Sequence, residues 1–308
     1  MQEIYKNQEL SPAADVIDIR DIFSIIWNKK IFFGVVTSSV AILSILYSLS
    51  LPNIYTSQSL LAPSTTDDSL SSKLGSLSSI ASFGGFSMPS GSGSKSQEAI
   101  ERIKSFEFFS MQFLPNIKLE NIMATKGWDS KGNSLIYDNN IFNPITKEWV
   151  RSTPSAQKAF KVYKEIMSVS EDTKTSFVKI SIDHHSPVIA KKWVDIITLQ
   201  INESMRKIDA EASQKAISFL NTIAGSTNVQ SLKEAIAKLL ENQMQILMLT
   251  TSNEYYVMKI IDSPIVPEEK SKPSRALICI LATLLGGMIS VLLILIQHYF
   301  KKASKPIY

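Results

Sequence analysis

The sequence predicts an α+β membrane-anchored fold. Two transmembrane helices flank an extracytoplasmic domain, which combines a small membrane-proximal β-sheet with a long projecting antiparallel helical hairpin. Three observations predict this. Two apolar segments without charge, Ile31 to Leu51 and Ala276 to Ile296, bracket the chain. The stretch between them is polar and about 220 residues long, enough for a sizeable core. Inside it, a period-two alternation is followed by a long run of apolar residues three or four apart.

Each apolar segment, at about 21 residues, reaches roughly 30 Å as a helix, the thickness of a bilayer's hydrocarbon core. Arg20, Lys29 and Lys30 precede the first segment, and the next basic residue after it is Lys73. By the positive-inside rule the N-terminus is cytoplasmic, and the second span returns the C-terminus to the same side. The expected division is a cytoplasmic tail over 1–30, a span over 31–51, the domain over 52–275, a span over 276–297 and a cytoplasmic tail over 298–308. A cleaved signal peptide fits poorly, because the polar lead is long and no small-residue cleavage site follows.

After the first span, Tyr55 and Thr56 between Pro52 and Pro63 favour a short strand. Residues 64–96 are rich in Ser and Gly and read as a mobile loop; Leu70, Leu74, Leu77 and Ile80 allow instead a short amphipathic helix. Gln97 to Leu114 is expected as one helix ended by Pro115. Residues 116–153 read as an irregular excursion packed by Trp128, Tyr137 and Trp149. A helix from Ser155 to Ile166 has Ser155 as its N-cap. The hairpin follows: a strand over 166–170, a polar turn, then a strand whose apolar face is Val178, Ile180 and Ile182. Tyr255 to Ile261 supplies a last strand, so both ends of the domain lie in one sheet.

Ser186-Pro187 opens the longest helix, with a cap and a first-turn proline. Ile189, Trp193, Ile197, Ile201, Met205, Ile208, Ala212, Ala216, Phe219 and Ile223 form its stripe, and Gly225 is its expected stop. A second helix, from about Val229 to Ser252, returns alongside it. Between Met244 and Leu249 this second helix is apolar nearly all round. One partner needs only one stripe. Met244, Ile246, Leu247 and Met248 are therefore expected at a contact between copies, with burial inside the monomer as the alternative.

Composition excludes several classes. The net charge is +4 and is spread along the chain, so nucleic-acid binding has no support. The lone Cys279 lies in the second span, so no intramolecular disulfide forms. No catalytic constellation, cofactor motif or metal site is visible, and no enzymatic activity is expected. Gly91 to Ser96 lacks the Gly-Lys-Ser order of a phosphate loop. His184-His185 has no partner at ligand spacing and reads as a turn after a strand. His298 reads as an interfacial anchor, and Glu268-Glu269 as a solvated linker.

Small residues recur on one face of each span: Gly34, Thr37 or Ser38, Ala41, Ser44 and Ser48 in the first, and Cys279, Thr283, Gly286 and Ser290 in the second. Such faces let helices pack closely in lipid. Between sheet and second span, Pro264, Pro267 and Pro273 predict a stiff extended strap.

The strap carries a resemblance. Pro264, Pro267, Lys272, Pro273, Arg275, Ala276 and Leu277 fill a proline-rich motif, and Leu284-Leu285-Gly286-Gly287-Met288 continues it into the span. Leu51-Pro52 with Tyr55, Val169-Ser170-Glu171-Asp172, Glu241-Asn242-Gln243-Met244 and Leu247-Met248-Leu249 match as well. The chain thereby resembles the polysaccharide co-polymerases, the Wzz-type chain-length determinants of bacterial inner membranes. The resemblance implies a periplasmic α/β base near the membrane, a long helical hairpin and ring-like homo-oligomers. It also implies regulation of the modal length of O-antigen or a similar surface glycan. The implied partners are the chain itself, a membrane polysaccharide polymerase and nascent glycan on a lipid carrier. One branch of the family adds a cytoplasmic tyrosine-kinase domain after the second span, which this sequence lacks. The alternative is thus an adaptor for a separate kinase chain in capsule or exopolysaccharide export. Residues 116–153 match least, and the resemblance assigns them no role.

Overall fold

The computed structural model describes residues 19–64, 95–252 and 255–303. Two compact units emerge: Pro52–Lys272, and the chain on either side of it, to Leu51 and from Pro273.

In the first unit, helices α1 (Ile19–Asn28) and α2 (Lys30–Ser50) precede the sheet in the chain, and α8 (Arg275–Ala303) follows it. Helix α1 was not anticipated in the N-terminal tail. Lys29 separates it from α2, with a backbone bond from Lys29 N–H to Ile26 O at 3.1 Å. Helices α2 and α8 are long and apolar enough to cross a membrane. They pack on each other along Ser44, Ser48, Ser290 and Ile294, all buried. Gly34, expected on this face, is exposed with open space around it. The face instead runs through Phe33 and Val40, which meet the glycines of α8.

The second unit holds a four-stranded antiparallel sheet in the order β6-β7-β1-β8: β1 is Tyr55–Pro63, β6 Met167–Glu171, β7 Val178–His184 and β8 Met258–Asp262. The first and last strands of the domain lie in one sheet, as expected, and there they are neighbours. Val178, Ile180 and Ile182 face the core with no exposure, so the period-two reading of β7 holds.

Against that face lie α3 (Lys95–Ile103), α5 (Ala156–Ile166) and the first half of α6 (Pro187–Ser226). Ser155 caps α5 by accepting from Lys158 N–H, and Ser186 caps α6 by accepting from Ile189 N–H. Phe109, Phe113, Phe160, Tyr163 and Trp193 form one aromatic cluster, with ring centroids 5.0 Å apart between Tyr163 and both Phe109 and Phe113. Tyr163 is fully buried; its hydroxyl donates to Ile103 O at 3.0 Å, and burial holds its proton far above the usual phenol range.

The single helix expected over 97–114 is broken. It starts at Lys95 and stops at Ile103. Ser105 then caps a new run of helical, π and 3-10 turns over 106–116, accepting from Phe108 N–H at 3.1 Å. The reason is geometric. Ile100, Ile103, Phe108, Phe109 and Phe113 are all buried, yet on one straight helix Phe109 and Phe113 would point about 180° and about 220° round from Ile100. Breaking the helix turns both inward. Pro115 consequently sits inside the last turn instead of ending a helix.

The excursion after it is more ordered than expected. It holds α4 (Leu119–Met123) and two small hairpins, β2 (Thr125–Asp129) with β3 (Ser134–Tyr137), and β4 (Phe142–Asn143) with β5 (Glu148–Trp149). Aromatic packing does hold it: Phe142 is buried between Tyr137 and Trp149, at 5.4 and 5.2 Å.

Helix α6 runs through Gly225 and ends at Ser226, with Thr227 extended at φ −99°. Gly225 is therefore not its stop. Residues 227–229 lead into α7 (Gln230–Ser252), which packs on α6. The expected stripe holds as far as Met205 and then slips. Ile208 and Phe219 are exposed, while Ser213 turns inward. Steps of four residues advance 40° past a full turn. The buried stripe thus rotates round α6 as its neighbour changes from sheet to α7. The alternative helix at Leu70 to Ile80 lies outside the described residues, as does most of the Gly91 to Ser96 stretch.

Candidate functional site

The strap between β8 and α8 is built on a chemical mismatch. Proline has no N–H, so a segment holding Pro264, Pro267 and Pro273 cannot complete a ladder. It offers carbonyls instead, and β1 meets them with hydroxyls. Ser59 Oγ donates to Asp262 O at 2.8 Å, and Ser57 Oγ donates to Ile265 O at 2.7 Å. Both serines and Pro264 are buried. Farther along, Ile54 N–H donates to Lys272 O at 3.0 Å, and Lys272 N–H returns to Ile54 O at 3.2 Å.

Lys272 has a second bond. Its Nζ lies 2.6 Å from Asp183 Oδ2, and Thr56 Oγ1 donates to Asp183 Oδ1 at 2.5 Å. Asp183 is the last polar-face residue of β7, three positions before the cap of α6. Strap and β1 therefore share one carboxylate, which β7 supplies. The lysine is largely exposed, so the ion pair itself contributes little, at most about 1 kcal/mol; the buried serine hydroxyls carry more of the strap's attachment.

The remaining motif residues lie in α8. Arg275 Nη2 donates to Leu51 O at 3.4 Å, placing a cation at the C-terminal end of α2, where the helix dipole favours it. The two glycines differ. A Cβ on Gly286 would stand 2.9 Å from Val40 Cβ, closer than packing allows, whereas one on Gly287 would stand 3.8 Å from Phe33 Cζ, an ordinary contact.

On α7, Met244 and Met248 are exposed, Ile246 and Leu247 are half-buried, and Leu249 packs against the core. Within one chain, the all-round apolar stretch thus covers only part of itself.

Three clusters escaped the sequence. Buried Asn202 accepts from Val257 and Met258 N–H at 2.8 and 3.0 Å, and donates to Thr198 O and Met258 O. It bolts α6 to the start of β8; its position beside Ile201 on the buried stripe was the available signal. Lys95 Nζ, Tyr256 OH and Asp209 Oδ2 form a triangle with sides of 2.6 to 2.7 Å. Asp183, on the polar face of β7, and Thr56, a strand-favouring residue, carry no local sign of the bond they share. His184 is buried against Trp193, receives Ser186 N–H on Nδ1 and donates from Nε2 to Asn121 O. Burial lowers its pKa to about 4, so the ring is neutral and structural. Among the described residues, no group of His, Cys, Asp or Glu is arranged to hold a metal ion.

The model of the family described as "Chain length determinant protein" (Wzz) matches residues 15–110. That of "G-rich domain on putative tyrosine kinase" (GNVR) matches residues 222–299. No curated protein matches the chain in sequence. Among solved structures, a full-length bacterial polysaccharide co-polymerase is similar at 14% identity and a TM-score of 0.43, covering 94% of this chain and 100% of its own. A fragment of WzzB, a polysaccharide co-polymerase from Salmonella Typhimurium, is similar at 14% identity and a TM-score of 0.33, covering 71% and 100%. One family model thus takes in the first apolar helix and β1, and the other takes in α7, the strap and α8, so toward both ends the chain is similar to the Wzz-type chain length determinant proteins.

Proposed function

We propose that this chain is a non-enzymatic regulator of polysaccharide chain length, a polysaccharide co-polymerase acting beside a membrane polymerase on O-antigen or a similar surface glycan. The carrying observation is the chain-length-determinant match over residues 15–110, which takes in α2 and β1. In this reading the protein is a two-pass protein of the bacterial inner membrane. Residues 31–51 and 276–297 span it, 52–275 form the periplasmic domain, and both termini are cytoplasmic. The charge asymmetry about the first span supports that orientation.

The protein acts as a homo-oligomer. Helices α6 and α7 form an antiparallel hairpin that projects from the sheet, and Met244, Ile246, Leu247 and Met248 lie at the contact between copies. Pro264, Pro267, Lys272, Pro273, Arg275, Gly286 and Gly287 set how the domain joins the second span. The bonds of Lys272 to Ile54 and Asp183, and of Arg275 to Leu51, support a holding role rather than a chemical one. The growing glycan and the polymerase are its partners.

A second reading is favoured by one observation: the match over residues 222–299 is to a domain described on a tyrosine kinase. In it the chain is the membrane adaptor of a separate kinase in capsule or exopolysaccharide export. Deleting the gene and profiling surface polysaccharide on gels separates the two. The regulator predicts that polymer persists with a broadened length distribution. Loss of polymer together with loss of a tyrosine-phosphorylated partner supports the adaptor. An unchanged profile refutes both.

A further inference from the structure

Both tethers of the second unit leave from the same end of its sheet. Strand β1 begins at Tyr55, four residues after Leu51, and Lys272, bridged to Ile54, stands three residues before Arg275. An extended chain covers at most about 3.6 Å per residue. That end of the sheet is therefore within roughly 15 Å of the ends of both apolar helices, whatever their orientation.

The excursion sits on this end. Tyr55 meets Trp128 edge to face at 5.5 Å. His184, paired with Tyr55 across the sheet, donates to Asn121 O, and Tyr137 OH donates to Asn121 Oδ1 at 2.8 Å. The aromatics of the excursion face inward, but four of its aliphatics do not. Ile136 and Ile141 are exposed, Val150 is 57% exposed and Ile145 is 90% exposed. The Ile145 turn is held: Asn143 Oδ1 accepts from Ile145 N–H at 2.9 Å and from Thr146 N–H at 3.3 Å.

We propose that the excursion docks on the bilayer, with Ile145 and Val150 entering the interfacial region of the leaflet that faces the domain. The proposal rests on the membrane-anchored reading above. The double tether argues for lipid: it keeps the end of the sheet that carries the excursion near a bilayer on every copy. Lys126, Lys131, Lys147 and Arg151 are offset by Asp129, Asp138 and Glu148, so apolar insertion, not attraction to anionic lipid, drives the contact. Docking would give the domain a third foothold and fix its tilt.

The test uses the full chain in a Cys279→Ala background, reconstituted in phosphatidylethanolamine/phosphatidylglycerol vesicles containing a doxyl-labelled lipid. An environment-sensitive fluorophore is placed by Ile145→Cys, with Ser274→Cys as the membrane-edge control and Asn228→Cys as the remote control. The proposal expects the Ile145 probe to lose emission to about the extent of the Ser274 probe, at low and high salt alike, with the Asn228 probe unquenched. Quenching at Ser274 without quenching at Ile145 overturns the docking while leaving the anchor intact. A blue-shifted but unquenched Ile145 probe overturns it in favour of contact with a second copy. Failure to quench Ser274 overturns the anchored reading and the proposal with it.

Discussion

The two halves of α6 share an apolar repeat but meet opposite surroundings. Every buried residue of α6 except Ser213 lies between Pro187 and Met205, against the sheet and the aromatic cluster. Beyond Asp209 the helix is accompanied by α7, and Phe219 is 65% exposed. The lesson is that periodicity reports a face, not what covers it. The base half is held by the chain's own core, whereas the distal half, with the methionines of α7, presents apolar surface that one chain leaves uncovered.

The sharpest break is Trp193→Ala against Phe219→Ala. The first empties a fully buried site among Phe113 and His184 and should destabilise the chain by about 3–5 kcal/mol. The second should stay within about 0.5 kcal/mol. Thermal unfolding of the detergent-solubilised chain, followed by circular dichroism, reads both. Equal losses would end the distinction between the halves.

Acid should attack the base half next. His184 has a folded pKa of about 4, below the ordinary 6.5. The unfolded chain therefore binds the proton first as pH falls. Stability is unaffected above about pH 6.5, declines between there and about pH 4, and levels off below. The loss attributable to this ring is about 3 kcal/mol, at 1.36 kcal/mol per unit. Unfolding midpoints across that window should lose this slope in His184→Gln; a slope unchanged by the substitution would remove the histidine from the account.

The helix pair α2–α8 offers a smaller contrast. Gly286→Ala should force Val40 and its backbone apart and cost about 1–3 kcal/mol of packing. Gly287→Ala meets only ordinary contact and should be nearly silent. Crosslinking between cysteines at Val36 and Ser290 in a Cys279→Ala background follows the pair; identical yields for both variants would deny the close approach.

The smallest effect on stability should carry the largest effect on assembly. Met248 is 69% exposed, so Met248→Glu should change unfolding by no more than about 0.5 kcal/mol. It should nonetheless dissociate the oligomer in native mass measurements and broaden the polysaccharide length distribution. A folded monomer with normal distribution would detach assembly from function. A fully assembled variant would return the α7 patch to the surface of a single chain.

Much of this was legible from local pattern. The alternation at Val178, Ile180 and Ile182 places β7, Ser186-Pro187 starts α6, and two uncharged apolar runs give α2 and α8. Each signal arises from neighbours along the chain, where hydrogen bonding and side-chain direction impose periods of two and 3.6. The break at Ser105 was hidden, because its cause is the aromatic cluster that Phe109 and Phe113 must enter. The same holds for Gly34, whose exclusion from the helix pair depends on where Val40 meets Gly286.

Local pattern alone was enough for the two apolar helices, the strands of the four-stranded sheet, the start of α6 and the motif that carries the resemblance to the chain length determinants. Tertiary structure alone decided which polar residues became fastenings. Asn202, Ser57, Ser59 and Asp183 are ordinary polar letters in the sequence. Asn202, Ser57 and Ser59 acquire their roles because distant backbone, freed of N–H groups by proline or left open at a strand's start, arrives within hydrogen-bond reach, and Asp183 because the side chains of Thr56 and Lys272 do. Burial then makes each unmade bond costly. That meeting of chemical needs across the fold has no period, so no local pattern records it.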